Sequence, residues 1–124
     1  MIATRLFEHV SDARPVAAGT TIFNVGDERD YMYAVLEGQV DIVVNGRIVE
    51  TVVSGGIFGE MALIEKDRRT ATAVASTDAK VVAVDERRFL FLIQQTPNFA
   101  LHVMRVLSDR LRRMDEHFVR SSRG

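Results

Sequence analysis

Apolar residues recur at two periods along this chain, and the period changes twice. At the start, Ile2, Ala3, Leu6, Phe7 and Val10 fall at helical spacing, which predicts a short amphipathic helix over residues 1–13. Pro15 marks its end, because proline disfavours helix in the residue before it. From Val16 to Asp85 the apolar runs are short, rich in Val, Ile and Thr, and separated by glycine. They predict strands at Thr21–Phe23, Met32–Glu37, Gln39–Val44, Ile48–Val53, Ala71–Ser76 and Val81–Asp85. Asn45-Gly46 lies between two of these runs; both residue types tolerate positive φ, so a type I′ hairpin is expected there. After Asp85 the helical period returns. Asp85 is the expected N-cap of a helix over Glu86–Gln95. Thr96-Pro97 then restarts the chain, with Thr96 as N-cap and Pro97 at the first helical position of a helix reaching about Arg120. Many short strands at regular spacing point to an antiparallel sandwich or barrel. The expected class is therefore α+β, mainly β: one domain over 1–124, with a β-roll over 16–85 and C-terminal helices over 86–120.

Composition narrows the function more than the fold. The 124 residues suit one domain, and 47% hydrophobic with 27% charged is globular. The net charge of −1 sets up no field over the whole molecule for nucleic acid or acidic lipid. With no cysteine, disulfides, thiolate metal sites and cysteine nucleophiles are excluded. That absence fits a cytoplasmic location. No apolar run approaches a membrane span, and the charged start is not a secretory signal. Ser121 to Gly124 read as a frayed tail. Charge is unevenly spread. From Asn98 onward six arginines face three carboxylates, whereas the rest of the chain has fourteen carboxylates against ten cations. The long helix is thus the basic element on an acidic body.

The chemistry concentrates in GGIFGEMALIEKDRRTATAVA, from Gly55 to Ala75. Gly59 permits a backbone shape closed to other residues. The residues from Glu60 to Ile64 are good helix formers, and a helix start after glycine presents free N–H groups to an anion. Arg68-Arg69 then enter a strand whose small residues leave space on one face. A buried arginine needs an anionic partner. Backbone donors, a guanidinium and the Thr70 hydroxyl suit a phosphate. The Glu60 carboxylate would be repelled by one, so it is free to accept from a sugar hydroxyl or to orient the arginine. Phosphate plus sugar hydroxyl is the polar outline of a nucleotide.

FGEMAL followed by RRTATAVA resembles the phosphate-binding cassette of the cyclic-nucleotide-binding domain family, which includes catabolite activator protein, protein kinase A regulatory subunits and cyclic-nucleotide-gated channels. Upstream, GTTIFNVGDERDYMYAVLEGQVDIVV resembles the family's first strands, with Gly19, Gly26-Asp27, Tyr33 and Gly38 in place. The resemblance spans roughly the whole chain. It implies an antiparallel β-roll of the jelly-roll kind, a cassette over 55–71, and cAMP or cGMP as ligand, with no cofactor and no metal. It implies that Glu60 takes the ribose 2′-hydroxyl, with Gly59 and Met61 around the ribose. Arg69, and not Arg68, would pair with the cyclic phosphate, joined by Thr70, Ala71 and Ala62. Ile42, Val49 and Phe58 would wall the base, and Arg110 and Arg113 of the long helix would lie over it. Where the bacterial activator reads adenine with two hydroxyl residues, this chain has Met114 and Asp115, which leaves the choice of base open.

Met104, Leu107, Leu111, Met114 and Phe118 are spaced 3, 4, 3, 4 along the long helix, an a/d seam. Phe99, Val103 and Val106 form a second stripe. One stripe packs on the barrel; the other is available to the same helix of a second copy, as in catabolite-activator-type dimers. Other readings are weaker. A metal-dependent jelly-roll enzyme needs ligands clustered on strands, and His9, His102 and His117 all fall on expected helices. DNA binding by this chain alone lacks a helix-turn-helix after the long helix. An empty barrel used only for assembly, or the sensor part of a larger regulator or channel, fits the same pattern.

Overall fold

The computed structural model describes residues 13–28, 30–60 and 68–123, with side chains to residue 113. Residues 1–12 of the helix expected over 1–13, and the turn from Met61 to Ile64, lie outside the described residues. Among those described, eight strands run β1 (Arg14–Val16), β2 (Thr21–Phe23), β3 (Met32–Glu37), β4 (Gln39–Val44), β5 (Arg47–Val53), β6 (Ile57–Phe58), β7 (Thr72–Ala75) and β8 (Ala79–Val84). Two helices follow, α1 (Glu86–Gln95) and α2 (Asn98–Arg123). All pairings are antiparallel, in two four-stranded sheets of order β1-β8-β3-β6 and β2-β7-β4-β5. This is a mainly β, jelly-roll-like β-roll followed by two helices.

Three of the six expected strands and the first C-terminal helix have the expected bounds. Pro15 behaves differently from expectation. It pairs with Lys80 in the middle of β1, an edge strand, where a proline's missing N–H disrupts no ladder. The two-residue β6 falls outside the six expected strands. The hairpin between β4 and β5 turns on Asn45 and Gly46 at φ 52° and 76°, the positive values a type I′ turn requires.

The first sheet is covered on both faces, which explains why β3 is buried at four consecutive positions. Alternate side chains of a strand point to opposite faces. Met32, Ala34, Val82 and Val84 therefore meet Leu92, Phe99 and Val103 of the helices. Tyr33, Val35 and Val81 meet Phe23, Val40, Val52 and Ala73 between the sheets. The helices thus rest on a second core, distinct from the interior of the roll. Asp85 caps α1, its Oδ1 accepting from Arg88 N at 2.8 Å. Thr96 N donates to Leu92 O at 2.8 Å to end α1, and Thr96 O accepts from Phe99 N at 2.9 Å as α2 begins. The two helices therefore meet at Thr96-Pro97, with α2 starting one residue later than expected.

Along α2, Phe99 and Val103 are buried, with Val106 packed against the same core. Leu107 packs there too, so it belongs to the barrel-facing stripe and not to an outward seam. Met104 and Leu111 are exposed, together with Leu101. The side chains of Met114 and Phe118 lie outside the described residues.

Candidate nucleotide site

Three elements converge on one cavity. Gly59 and Glu60 follow β6, Arg69 to Ala71 precede β7, and Arg110 descends from α2. Together with Phe23, Ile42 and Phe58 they line a cavity open to solvent, with about 460 Å³ of empty space.

Arg69 is 6% exposed. Its backbone is fixed on both sides by the Gly26-Asp27 loop: Arg69 N donates to Asp27 O at 2.8 Å, and Gly26 N donates to Arg69 O at 2.9 Å. Its guanidinium lies over the Phe23 ring, with Cζ 3.9 Å from the centroid. Nη1 donates to Gly59 O at 3.2 Å, and Nη2 donates to Tyr31 O. Phe23, Tyr33 and Phe58 form the aromatic floor beneath it, with Tyr33 and Phe58 stacked at 5.1 Å. Arg68 points away: it is exposed, and its Nη1 donates to Gly26 O at 2.9 Å. Two adjacent arginines therefore have opposite environments, as the alternation of an extended chain requires.

Gly59 makes the close approach possible. At φ +72° it occupies the left-handed region, and a Cβ there would stand 2.7 Å from Arg69 Nη1. Gly59→Ala is expected to cost about 1–3 kcal/mol, the scale of a non-glycine residue held in that region. Urea unfolding of the variant measures it, and a loss below the bottom of that range would mean the turn relaxes.

Glu60 is 4% exposed. Its Oε1 accepts from Arg110 Nη1, while its buried Oε2 meets no hydrogen-bond donor among the described residues. Arg110 is held elsewhere as well: Nη2 donates to Ile57 O at 2.6 Å and stands 2.7 Å from Glu50 Oε2. Burial disfavours the Arg110 charge, but the hydrogen bond to Glu50 and the charge of Glu60 outweigh it and raise its pKa above the ordinary arginine value.

The structure brings together Ile42, Phe58, Gly59, Glu60, Arg69, Thr70, Ala71 and Arg110 of the residues expected at the site. Met61 and Ala62 lie outside the described residues. Two expectations are corrected. Val49 does not line the cavity and is 57% exposed. Ile42 pairs with Glu50 and Val43 with Ile48, so Val49 is the extra residue of a β-bulge and is turned outward. Arg113 is half exposed and pairs with Glu50, with its Nη2 2.7 Å from Oε1, and does not line the cavity. Arg110 does line it, but its guanidinium engages two carboxylates and a carbonyl. Glu50 is the residue that sequence reasoning missed. A carboxylate among Ile48, Val49, Val52 and Val53 was the available signal, but its partner is 60 residues away. Among the described residues no cluster of three or more His, Asp or Glu could hold a metal, and no helix is long and apolar enough to cross a membrane.

The model of the cyclic nucleotide-binding domain family matches residues 13–96; the chain belongs to that family. A cAMP-dependent protein kinase regulatory subunit from Debaryomyces hansenii is 40% identical over 94 residues, covering 73% of this chain. The chain spans only 21% of that relative's length. The catabolite activator protein of Thermus thermophilus superposes with a TM-score of 0.75 at 29% identity, over 91% of this chain and 61% of that one. The EAL enzyme Bd1971 in its cAMP-bound form superposes with a TM-score of 0.61 at 30% identity, over 82% of this chain and 28% of that one.

Proposed function

We propose that the protein is a cyclic-nucleotide sensor, holding cAMP or cGMP in the cavity between β6, β7 and α2 and passing the signal on through α2. The observation that carries this reading is Glu60: a buried carboxylate with one oxygen on Arg110 and the other, Oε2, facing no donor among the described residues. A buried acceptor left unmet is costly, and a sugar hydroxyl would satisfy it. Arg69, on the other side of the same cavity, supplies the positive charge for a cyclic phosphate. Thr70 and Ala71 border that charge, while Ile42 and Phe58 offer apolar surface to a base. In this reading Glu60 takes the ribose 2′-hydroxyl, with Gly59 and Met61 around the sugar, and Ala62 joins the phosphate group. No bond is made or broken, so the domain acts by binding alone.

A ligand shifts a conformational equilibrium only by binding one state more tightly than the other. Arg110 makes α2 the natural reporter, because it reaches from that helix to the carboxylate that would take the sugar. Thr96-Pro97 is the point about which α2 can re-dock relative to α1. The exposed Leu101, Met104 and Leu111 favour self-association through α2, which would carry the signal to a second copy.

Calorimetric titration of the folded, ligand-free chain with cAMP and with cGMP tests the proposal. Saturable binding is expected, and the ratio of affinities identifies the base. No heat with either nucleotide would leave an assembly module with an empty barrel.

A further inference from the structure

We infer that Glu50 is a positioning residue for ribose recognition, holding Arg110 so that Arg110 in turn fixes the Glu60 carboxylate. The inference rests on the reading of Glu60 as the ribose carboxylate. Glu50 sits on β5 opposite Ile42, with a side chain only 14% exposed. Both of its oxygens accept from Arg110 Nε, at 3.2 and 3.0 Å, and Oε2 also stands 2.7 Å from Arg110 Nη2. This is a side-on fork, the arrangement that fixes the plane of a guanidinium as well as its distance. Ile57 O takes a further Nη2 proton at 2.6 Å. With Nε and Nη2 committed, Nη1 is the arm turned to Glu60 Oε1.

The consequence lies one residue further along. A single ion pair on a long, flexible side chain must overcome the entropy of ordering that chain. Glu50 removes most of that freedom before Glu60 is engaged. Glu60 then has Oε1 occupied and Oε2 left as the acceptor in the cavity. Arg113 adds a second cation on Glu50 Oε1 at 2.7 Å, which stabilises a carboxylate so little exposed. Glu50 itself does not line the cavity, so its influence on the sugar passes through Arg110.

The test is calorimetric titration of the full chain with cAMP and with 2′-deoxy-cAMP, for the wild type and Glu50→Gln. The wild type is expected to favour the ribonucleotide by about tenfold or more, the scale of one lost hydrogen bond to a charged group. In Glu50→Gln that ratio falls towards one, while affinity for the deoxy analogue stays near the wild-type value. A ratio unchanged in the variant, or equal weakening of both ligands, overturns the positioning role. Arg110→Lys keeps a charge beside Glu60 but cannot make the fork with Glu50, so the same loss of ratio is expected. That variant decides the matter if Glu50→Gln fails to fold, and a ratio it retained would also overturn the inference. Absence of binding by the wild type would instead overturn the sensor reading itself.

Discussion

Arg69→Ala is expected to weaken cyclic-nucleotide binding by about 2–5 kcal/mol, the range for removing one member of a buried, hydrogen-bonded charge pair. The size follows from where the guanidinium sits. It is stacked on Phe23 and tied to the carbonyls of Gly59 and Tyr31, so it is already oriented before a phosphate arrives and little ordering cost falls on binding. Its backbone is held by Gly26 and Asp27, which an alanine would preserve. Arg68→Ala is the internal comparison, being exposed and turned away, and should change affinity little. Titration calorimetry on both variants decides the matter. Equal losses would mean that the phosphate is held by the field of both arginines and not by the buried one.

The largest expected loss of stability comes from Phe99→Ala. Phe99 is fully buried and meets Phe89 edge-on at 5.8 Å, within the core that joins Met32, Ile57, Val82 and Val84 to the helices. Truncating a buried phenylalanine costs about 3–5 kcal/mol, through lost burial and the cavity left behind. A domain of this size is stable by only about 5–15 kcal/mol in total, so the variant should unfold at much lower urea. The same measurement reports on the helices. A loss under about 1 kcal/mol, typical of sites away from a packed core, would mean that α2 spends most of its time off the sheet in the absence of ligand.

Much of this architecture could be read from the residues, because its signals are local. Glycine and Asn45-Gly46 punctuate the strands, Asp85 opens α1 by its own side chain, and the FGE and RRTA segments place their residues at one cavity. What escaped was decided by tertiary context. Pro15 reads as a stop in isolation, yet it is accommodated on an edge where no partner needs its N–H. Val49 is expected at the base as an apolar residue on the strand facing Ile42. A bulge opposite Ile42 and Val43 breaks the alternation of β5 and turns it out. Leu107 fits a seam by spacing alone, but it packs beside Val106 against the core under the helices. Glu50 had no local signature, since its meaning depends on Arg110 arriving from the far end of the chain.

Glu60 follows β6, which belongs to one sheet, and Arg69 leads into β7, which belongs to the other. A small molecule gripped by both would be a bolt through two plates. Hydrogen exchange would then slow in both sheets together upon loading, including backbone far from the cavity. A rigid roll is also a steadier anvil for α2, so a ligand of a few tens of atoms could stiffen the whole body against which the helix moves.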